Sequence, residues 1–317
     1  LDVGGTKVLG VAVDPRDPRK IVAEGRVPTP DGGDGLVDTL LDLAATLAPT
    51  ASGIGVGVPG LVDRSGTLHM GPHLRRMQEV PLARLLAERA GVPAVVDNDA
   101  NCHAIGEQAT GAAAGAADAL VVTLGTGIGA GIITGGEVLR GANGFAGEPG
   151  HMVIDPSGPP CPCGKRGCWE QFASGSGLAR LAREAAVEGR LDAAVALAGG
   201  DPSAVRGEHV TASARAGDVA SQAVLDSLAR WIALGLANLV NVLDPAIIVI
   251  GGGLVEAADL LLPEVRSRVS ALVMAGEQRP VVSIVPAELG EHAGAIGAAL
   301  LAASAPTQAA TGGQTTR

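Results

Sequence analysis

The sequence predicts an α/β protein, built as two domains or as one large α/β unit. Three observations carry this. At 317 residues the chain is about two domains long, at roughly 150 residues per domain. Apolar residues make up 47% of it, enough for a substantial core and too many for wholesale disorder. Short β-branched runs that end in glycine alternate with stretches of helical period through the first half of the chain, as in α/β proteins.

The elements follow in order. Val8 to Val13 and Ile21 to Val27 read as strands, and an amphipathic helix follows near Leu36 to Leu47. A strand over Gly53 to Val58 ends in Pro59-Gly60. A helix near Pro81 to Ala90 leads to a strand, Pro93 to Val96, and then to Asp97-Asn98-Asp99. The strand pair Leu120 to Leu124 and Ala130 to Thr134 is joined by Gly125-Thr126-Gly127-Ile128-Gly129. Helices then dominate to Leu243. The most apolar, Leu228 to Leu243, carries Arg230, Asn238 and Asn241. It is shorter than the ~18 clean apolar residues of a membrane span and is expected to be a buried core helix. A short buried strand, Ala246 to Ile250, runs into Gly251-Gly252-Gly253. The last helix lies near Ala293 to Ala303, and the Ser/Thr/Gln/Gly-rich tail from Ser304 is expected to be disordered. No repeat of 20–50 residues is visible, but a strand–Gly-turn–strand unit recurs, at Gly4-Gly5-Thr6 and Gly125-Thr126-Gly127.

Composition removes several function classes. Glycine occupies 47 positions, about twice the usual share, yet without the Gly-x-y period of collagen. The chain carries 33 acidic and 23 basic residues, a net charge of −10, which argues against nucleic acid or an anionic membrane as partner. Only Lys7, Lys20 and Lys165 are lysines. The chain opens on Leu1-Asp2-Val3 with nothing resembling a signal peptide, so the expected location is cytoplasmic. Because no Met precedes it, the first strand is expected to be clipped. Aromatics are two Trp, two Phe and no Tyr. Phe145, Trp169 and Phe172 are expected to cluster around the cysteine loop, with Trp231 elsewhere.

The glycine turns suit phosphate. In Asp2-Val3-Gly4-Gly5-Thr6-Lys7 the two glycines permit a tight turn that exposes amide N–H groups as an anion nest. Thr6 adds a hydroxyl donor, Lys7 a cation, and Asp2 a carboxylate able to hold Mg²⁺ through water. The turn is equally compatible with an ordinary hairpin, and the Walker spacing G-x-x-x-x-G-K-[ST] is absent. Gly125, Thr126, Gly127 and Gly129 repeat the Gly-Thr chemistry. Gly251, Gly252 and Gly253 follow a buried strand and offer no side chain to block a flat adenine. Alone this triplet reads as readily as a strand-to-helix connector. The three clusters together favour a nucleotide.

Asp97-Asn98-Asp99-Ala100-Asn101 sets carboxylates and carboxamides after a strand, where α/β enzymes gather ligand groups. Asn98 and Asp99 are suited to vicinal hydroxyls, and a carboxylate beside a sugar hydroxyl can accept its proton as phosphoryl transfers. One of these residues fits an Asx turn and helix N-cap. Cys161-x-Cys163-x4-Cys168 is too tightly spaced for unstrained disulfides. Thiolates in a Gly/Pro-rich loop read instead as ligands of structural Zn²⁺, completed to Cys₃His by His151. The choice of His151 rests partly on the resemblance given next. If one imidazole nitrogen binds zinc, the other is oriented toward a ligand hydroxyl, and Glu148 and Glu170 bracket the loop. Cys102, on a predicted helix, reads as an inert core residue.

These motifs resemble the ROK family of bacterial sugar kinases, and within it the glucokinases. The resemblance covers nearly the whole chain. It is carried by Asp2–Lys7, Gly57-Val-Pro-Gly60, Val96–Asn101, Leu124–Gly129, Gly144-Phe-Ala-Gly-Glu-Pro-Gly-His151, the cysteine loop with Glu170, and Leu243-Asp-Pro245 with the glycine triplet. It implies an actin-like, ribonuclease-H-like ATPase fold of two α/β domains with a cleft between them for ATP and sugar. The domains implied are a smaller one over 1–115, a larger one over 116–292 with the zinc loop, a helix over 293–303 returning to the first, and a tail over 304–317. The resemblance makes Asp99 the general base facing the sugar 6-hydroxyl. It makes Asn98, Glu148, His151 and Glu170 ligands of ring hydroxyls, and gives the Gly-Thr turns the ATP phosphates, with Asp2 near Mg²⁺. Domain closure on sugar would exclude water.

The implied reaction is ATP-dependent glucose 6-phosphorylation. Fructose, mannose, N-acetylglucosamine or N-acetylmannosamine are alternative substrates, and polyphosphate an alternative donor that would want a basic groove. A ROK sugar-sensing transcriptional regulator is the reading from another class, set back by the lack of a helix-turn-helix before Asp2. A homo-oligomer, dimer or tetramer, is the family expectation. Two departures from the pattern stand out: Pro149 in place of a bulky aliphatic, and Gly71-Pro-His73-Leu-Arg-Arg-Met77 where Asn-Leu and a Trp are usual.

Overall fold

Alternation within Ile54–Val58 decides how the first part of the chain is layered. The structure, a computed structural model, describes residues 1–30, 33–71 and 77–304, so His73 and the tail beyond Ser304 lie outside the described residues. The described residues form two units: Leu1–Thr110 with Arg140–Ala146 and residues 291–304, and Gly111–Leu139 with Gly147–Gly290.

In the first unit, strands β1 (Asp2–Val3), β2 (Lys7–Asp14), β3 (Asp17–Pro28), β4 (Ile54–Val58) and β8 (Ala94–Asn98) form a sheet of order β3-β2-β1-β4-β8. The pairs β3–β2 and β2–β1 are antiparallel, whereas β1–β4 and β4–β8 are parallel. A small antiparallel sheet of β5 (Leu61–Val62), β6 (Leu68–Met70) and β7 (Gln78–Val80) lies between β4 and β8 in sequence and had no clear sequence signal. Because side chains alternate along a strand, Ile54, Val56 and Val58 of β4 join one core. That core includes Leu36, Leu40 and Leu43 of α1 (Gly33–Leu47) and Leu82 and Leu86 of α2 (Leu82–Ala90). Gly10 and Gly25, paired across β2 and β3, open space for the α1 leucines. A Cβ on Gly10 would lie 2.7 Å from Leu47, and one on Gly25 would lie 3.0 Å from Leu43.

The other face of β4 presents glycine. There α3 (Asp99–Thr110) and α10 (Ala293–Ser304) approach at backbone distance. A Cβ on Gly55 would strike the Ala298 carbonyl at 1.7 Å, one on Gly106 the Ala293 carbonyl at 2.3 Å, and one on Gly297 the Cys102 carbonyl at 1.8 Å. Such contacts tolerate no side chain. Cys102 is fully buried here, and burial drives its thiol pKa well above the ordinary value, so it is inert.

In the second unit, β9 (Ala119–Leu124), β10 (Ile128–Thr134), β11 (Glu137–Val138), β12 (Ile247–Gly251) and β13 (Ser283–Pro286) pair in the order β11-β10-β9-β12-β13. Again two antiparallel pairs are followed by two parallel ones. Its core gathers β9 and β12 with α5 (Gly175–Val187), α6 (Asp192–Leu197), α7 (Gly207–Arg215), α8 (Val219–Leu243) and α9 (Ala258–Leu272). The short α4 (Glu170–Ala173) carries Phe172 and Ala173 into the interior. Neither α9 nor β13 carries a pattern that the sequence alone reads as an element.

Three expectations need correction. The apolar helix is longer than Leu228–Leu243: capped by Asp218, whose carboxylate accepts from the Ser221 amide, it runs 25 residues. It is therefore long and apolar enough to cross a membrane by length and composition, although Leu225, Leu228, Ile232, Leu236 and Val240 are buried in the core. The aromatics sort differently. Phe172 and Trp231 pack with ring centroids 4.4 Å apart, and Trp169 donates from Nε1 to the Trp231 carbonyl at 2.8 Å. Phe145 instead meets His69 edge-on at 5.3 Å in the first unit. Finally, Arg140–Ala146, inside the stretch expected to form the second domain, groups with the first unit; there the Arg140 guanidinium is tied to buried Asp97 at 2.8 Å and the Gly141 carbonyl accepts from Arg64.

Candidate functional site

In the first unit the motif after β8 builds a helix start. Strand β8 runs through Asn98, and α3 begins at Asp99. Asn98 is the cap: its Oδ1 accepts from the amides of Ala100 (2.9 Å) and Asn101 (3.2 Å), and its Nδ2 donates to the Gly60 carbonyl at 3.1 Å. One Nδ2 hydrogen and part of the oxygen's capacity remain for a ligand. Asp97, which the sequence did not single out, is the most committed member. Its Oδ1 accepts from the Asn98 amide and from Asn101 Nδ2, and its Oδ2 from Arg140. That ion pair fixes the turn on which Asp99 is mounted.

Asp99 sits in the first turn of α3, where the helix dipole favours negative charge. Even so its carboxyl pKa is raised, first by desolvation and then by the charge of Asp2. Asp2 is raised in turn, chiefly by desolvation. The fold thus brings Asp2 and Asp99 within electrostatic reach, 97 positions apart in sequence. On α3 the sequence reading missed His103, whose Nδ1 lies 2.9 Å from the Asp99 backbone carbonyl. Its signal was visible as position i+4 from Asp99 on one helix face.

The first Gly-Thr turn joins β1 to β2, closed by the Gly4 amide donating to the Lys7 carbonyl at 2.9 Å. Thr6 is exposed. Lys7 Nζ forms a 2.8 Å ion pair with Glu291, which also takes Arg26 at 2.6 Å. A phosphate drawing on Lys7 would compete with this exposed pair, and such pairs are weak.

In the second unit the remaining groups converge. The Gly125–Gly129 turn links β9 to β10, and Gly251 at the end of β12 pairs with Thr123 of β9. The second Gly-Thr turn and the triplet therefore leave the carboxyl ends of neighbouring parallel strands, where α/β sheets bind ligands. Gly252, at φ +81°, presses on the Leu124 backbone, and a Cβ there would lie 2.6 Å from it. Gly253 has open space around it. Gly127 faces Glu170: its Cβ would come within 2.6 Å of Glu170 Oε2. Gly150 packs as closely on the start of β10, with a Cβ 2.2 Å from the Ile128 carbonyl, and so sets Glu148–His151 beside the same turn. The His151 amide donates to the Glu148 carbonyl at 3.1 Å.

The donor atoms of His151, Cys161, Cys163 and Cys168 all lie within 4.8 Å of one another. Cys163 and Cys168 sulfurs are 3.6 Å apart, and Cys161 Sγ is 3.8 Å from His151 Nδ1. A tetrahedron with Zn–S near 2.3 Å and Zn–N near 2.0 Å requires about 3.8 Å and 3.6 Å for such separations, so the set fits zinc. Nδ1 faces the thiols, leaving Nε2 for a ligand. Glu170 joins this cluster to the glycine turn, with Oε1 3.0 Å from Cys161 Sγ and 3.7 Å from His151 Nδ1.

A cavity of about 300 Å³ lies elsewhere in this unit, along α9 and β13 between Arg266 and Val285. None of the site residues lines it.

Residues 1–305 match the ROK family model. The chain belongs to the ROK family. It is 38% identical to the glucokinase of Streptomyces coelicolor over 95% of this chain and 96% of that protein. A ROK glucokinase from Streptomyces griseus, solved with glucose and AMPPNP, superposes with a TM-score of 0.86 at 36% identity, covering 96% of this chain and 98% of that one. The xylose repressor of Bacillus subtilis is 31% identical over 77% of this chain and 59% of its own length. The fold is accordingly the two-domain, actin-like ATPase fold of ROK sugar kinases.

Proposed function

We propose that this protein is a glucokinase that transfers the γ-phosphoryl group of ATP to the 6-hydroxyl of glucose. The observation that carries the reading is the end-to-end likeness to the Streptomyces griseus enzyme, whose structure holds glucose and a non-hydrolysable ATP analogue. Likeness to the repressor covers a smaller share of both chains, and part-buried Asp99, its carboxyl pKa raised by desolvation, gives the kinase reading a chemical centre.

Asp99 is the base. As O6 of the sugar bonds to the γ-phosphorus, the bond from that phosphorus to the β,γ-bridging oxygen breaks, ADP leaves, and the O6 proton passes to the Asp99 carboxylate. A raised pKa suits this, since a stronger base competes better for the proton once ionised. Asn98 offers its free Nδ2 hydrogen to a hydroxyl, and Glu148, His151 Nε2 and Glu170 offer further hydroxyl contacts. With so few aromatics the sugar is held by hydrogen bonds rather than stacking. The backbone amides of Gly4–Thr6 and of the Gly125–Gly129 turn, with the exposed Thr6 and Thr126 hydroxyls, take the phosphates, and the bare Gly251–Gly253 backbone receives the adenine. Asp2 would hold Mg²⁺, which when bound neutralises phosphate charge. His151, Cys161, Cys163 and Cys168 would hold zinc, which supplies rigidity to the loop carrying Glu170. A cytoplasmic homodimer or tetramer is the accompanying proposal.

A coupled assay across glucose, fructose, mannose, N-acetylglucosamine and N-acetylmannosamine, with ATP and polyphosphate as donors, tests the reading. Glucose with ATP is expected to give the highest kcat/KM. Turnover on no hexose would overturn the kinase assignment, and preference for another sugar or donor would overturn its specificity.

A further inference from the structure

The turn between β1 and β2 leaves donors unspent. Its carbonyls are taken by Thr29, which donates from its amide to Thr6 at 3.0 Å and from Oγ1 to Gly4 at 2.7 Å. Among the described residues, the amides of Gly5 and Thr6 have no protein partner, and both residues are exposed. Successive unpaired amides in a turn make an anion nest. The cation that follows them is engaged elsewhere. Lys7 Nζ meets Glu291 Oε2 at 2.8 Å, and Arg26 Nη2 meets Glu291 Oε1 at 2.6 Å. Leu9 faces Arg26 and Val11 faces Glu24 across β2 and β3, so Lys7, Arg26 and Glu24 stand on one side of the sheet. Glu291 reaches them from the 3₁₀ turn Gly290–His292 that leads into α10. The start of α10 lies against β1: a Cβ on Gly294 would be 2.8 Å from Asp2 Oδ2. The carboxylate three positions earlier is thus held at the edge of the glycine turn. The two cations differ in one respect. Arg26 has a second acid, Glu24, at 2.7 Å, which His292 Nε2 also meets at 3.0 Å. Among the described residues Lys7 has Glu291 alone.

We propose that Glu291 sets the affinity for the phosphoryl donor: it is a resident anion that occupies Lys7 in the empty site and that the donor phosphate must displace. This rests on the reading that the Gly4–Thr6 turn takes the phosphates. Exposed ion pairs of this kind are weak, so displacement lowers donor affinity a few-fold without blocking the site. A triphosphate carries several charges and binds the free amides as well, whereas the carboxylate carries one charge and has no such second hold on Lys7. Arg26 keeps Glu291 in place once Lys7 has left it. The carboxylate then stands ready to recapture the ammonium as ADP departs. Glu291 touches neither sugar nor the reacting atoms in this scheme and acts only through Lys7.

The test is kcat and KM for ATP, at saturating glucose and fixed free Mg²⁺, in wild type, Glu291→Gln, Glu24→Gln, Lys7→Met and the double variant Lys7→Met/Glu291→Gln. Glu291→Gln is expected to lower KM for ATP by about two- to five-fold with kcat little changed, and the difference should shrink as salt is raised. Glu24→Gln removes the same charge from the same network without touching Lys7, and should leave KM where it is. A KM unchanged or raised in Glu291→Gln overturns the proposal. So does an equal fall in Glu24→Gln, which would reduce Glu291 to one part of a general negative field. Lys7→Met judges the phosphate reading separately. It should raise KM for ATP, and on that background Glu291→Gln should have no further effect; an effect that persists there also overturns the proposal. No rise in Lys7→Met ends the phosphate reading and the proposal with it, whereas a rise there beside an unmoved Glu291→Gln ends the proposal alone. Thermal melts of each variant confirm that folded enzyme is compared.

Discussion

Asp99 carries opposite values for folding and for catalysis. Its folded-state pKa lies above the ordinary carboxylate value because the site is desolvated and faces Asp2. Between those two pKa values the folded chain binds more protons than the unfolded one. Stability therefore falls as pH rises through that window and stays lowered above it. Asp99→Asn keeps an oxygen to accept the Ala100 amide at 2.9 Å while removing the charge. It should melt above wild type at pH 7, and the difference should vanish below about pH 4. The same variant should lose about 10²–10⁴ in kcat while retaining glucose binding. A variant that melts lower than wild type at neutral pH would show that attraction, not desolvation, dominates at this carboxylate.

At the scale of elements, what was legible followed from periodicity and punctuation. Strands β2, β4, β9 and β12 are dense runs rich in β-branched residues near glycines, α1 and α2 have clear apolar periods, and α10 is a run of small and apolar residues, so each was readable to within a few residues. The Cys₃His cluster was legible because three thiols in eight positions have few uses. What was hidden depended on partners remote in sequence. Nothing near Arg140 announces its tie to Asp97, and Phe145 looks like part of the zinc loop until His69 takes it. Strand β13 is a four-residue edge strand with one buried side chain, too short for an alternation signal. Of the site, the motif residues were legible and the approach of Asp2 to Asp99 was not, because it joins a strand and a helix far apart in sequence. The loop itself gives the element-scale prediction. Metal analysis should find about one zinc per chain, and chelation should lower Tm and raise KM for glucose more than it lowers kcat, since Glu170 loses its support. A metal-free preparation with unchanged Tm and KM would refute the site.

For the molecule as a whole, a net charge of −10 repels the ATP polyanion at a distance, so nucleotide capture must depend on short-range donors. Salt screens that long-range repulsion. Second-order capture of ATP, measured as kcat/KM at fixed free Mg²⁺, should therefore stay level or rise modestly from low to moderate ionic strength. A steep fall would reveal a basic funnel that the charge distribution does not suggest. The glycine-lined seat of α10 has a different consequence, one that concerns the order of synthesis. The sheet of the first unit is translated within the first hundred residues, yet the face of β4 that bears Gly55 and the groove of α3 that bears Gly106 stay bare until Ala293–Ser304 has left the ribosome. Domains made first usually fold first. Here the half begun earliest is the one sealed last, and for most of translation its bare strand face is what a chaperone would find.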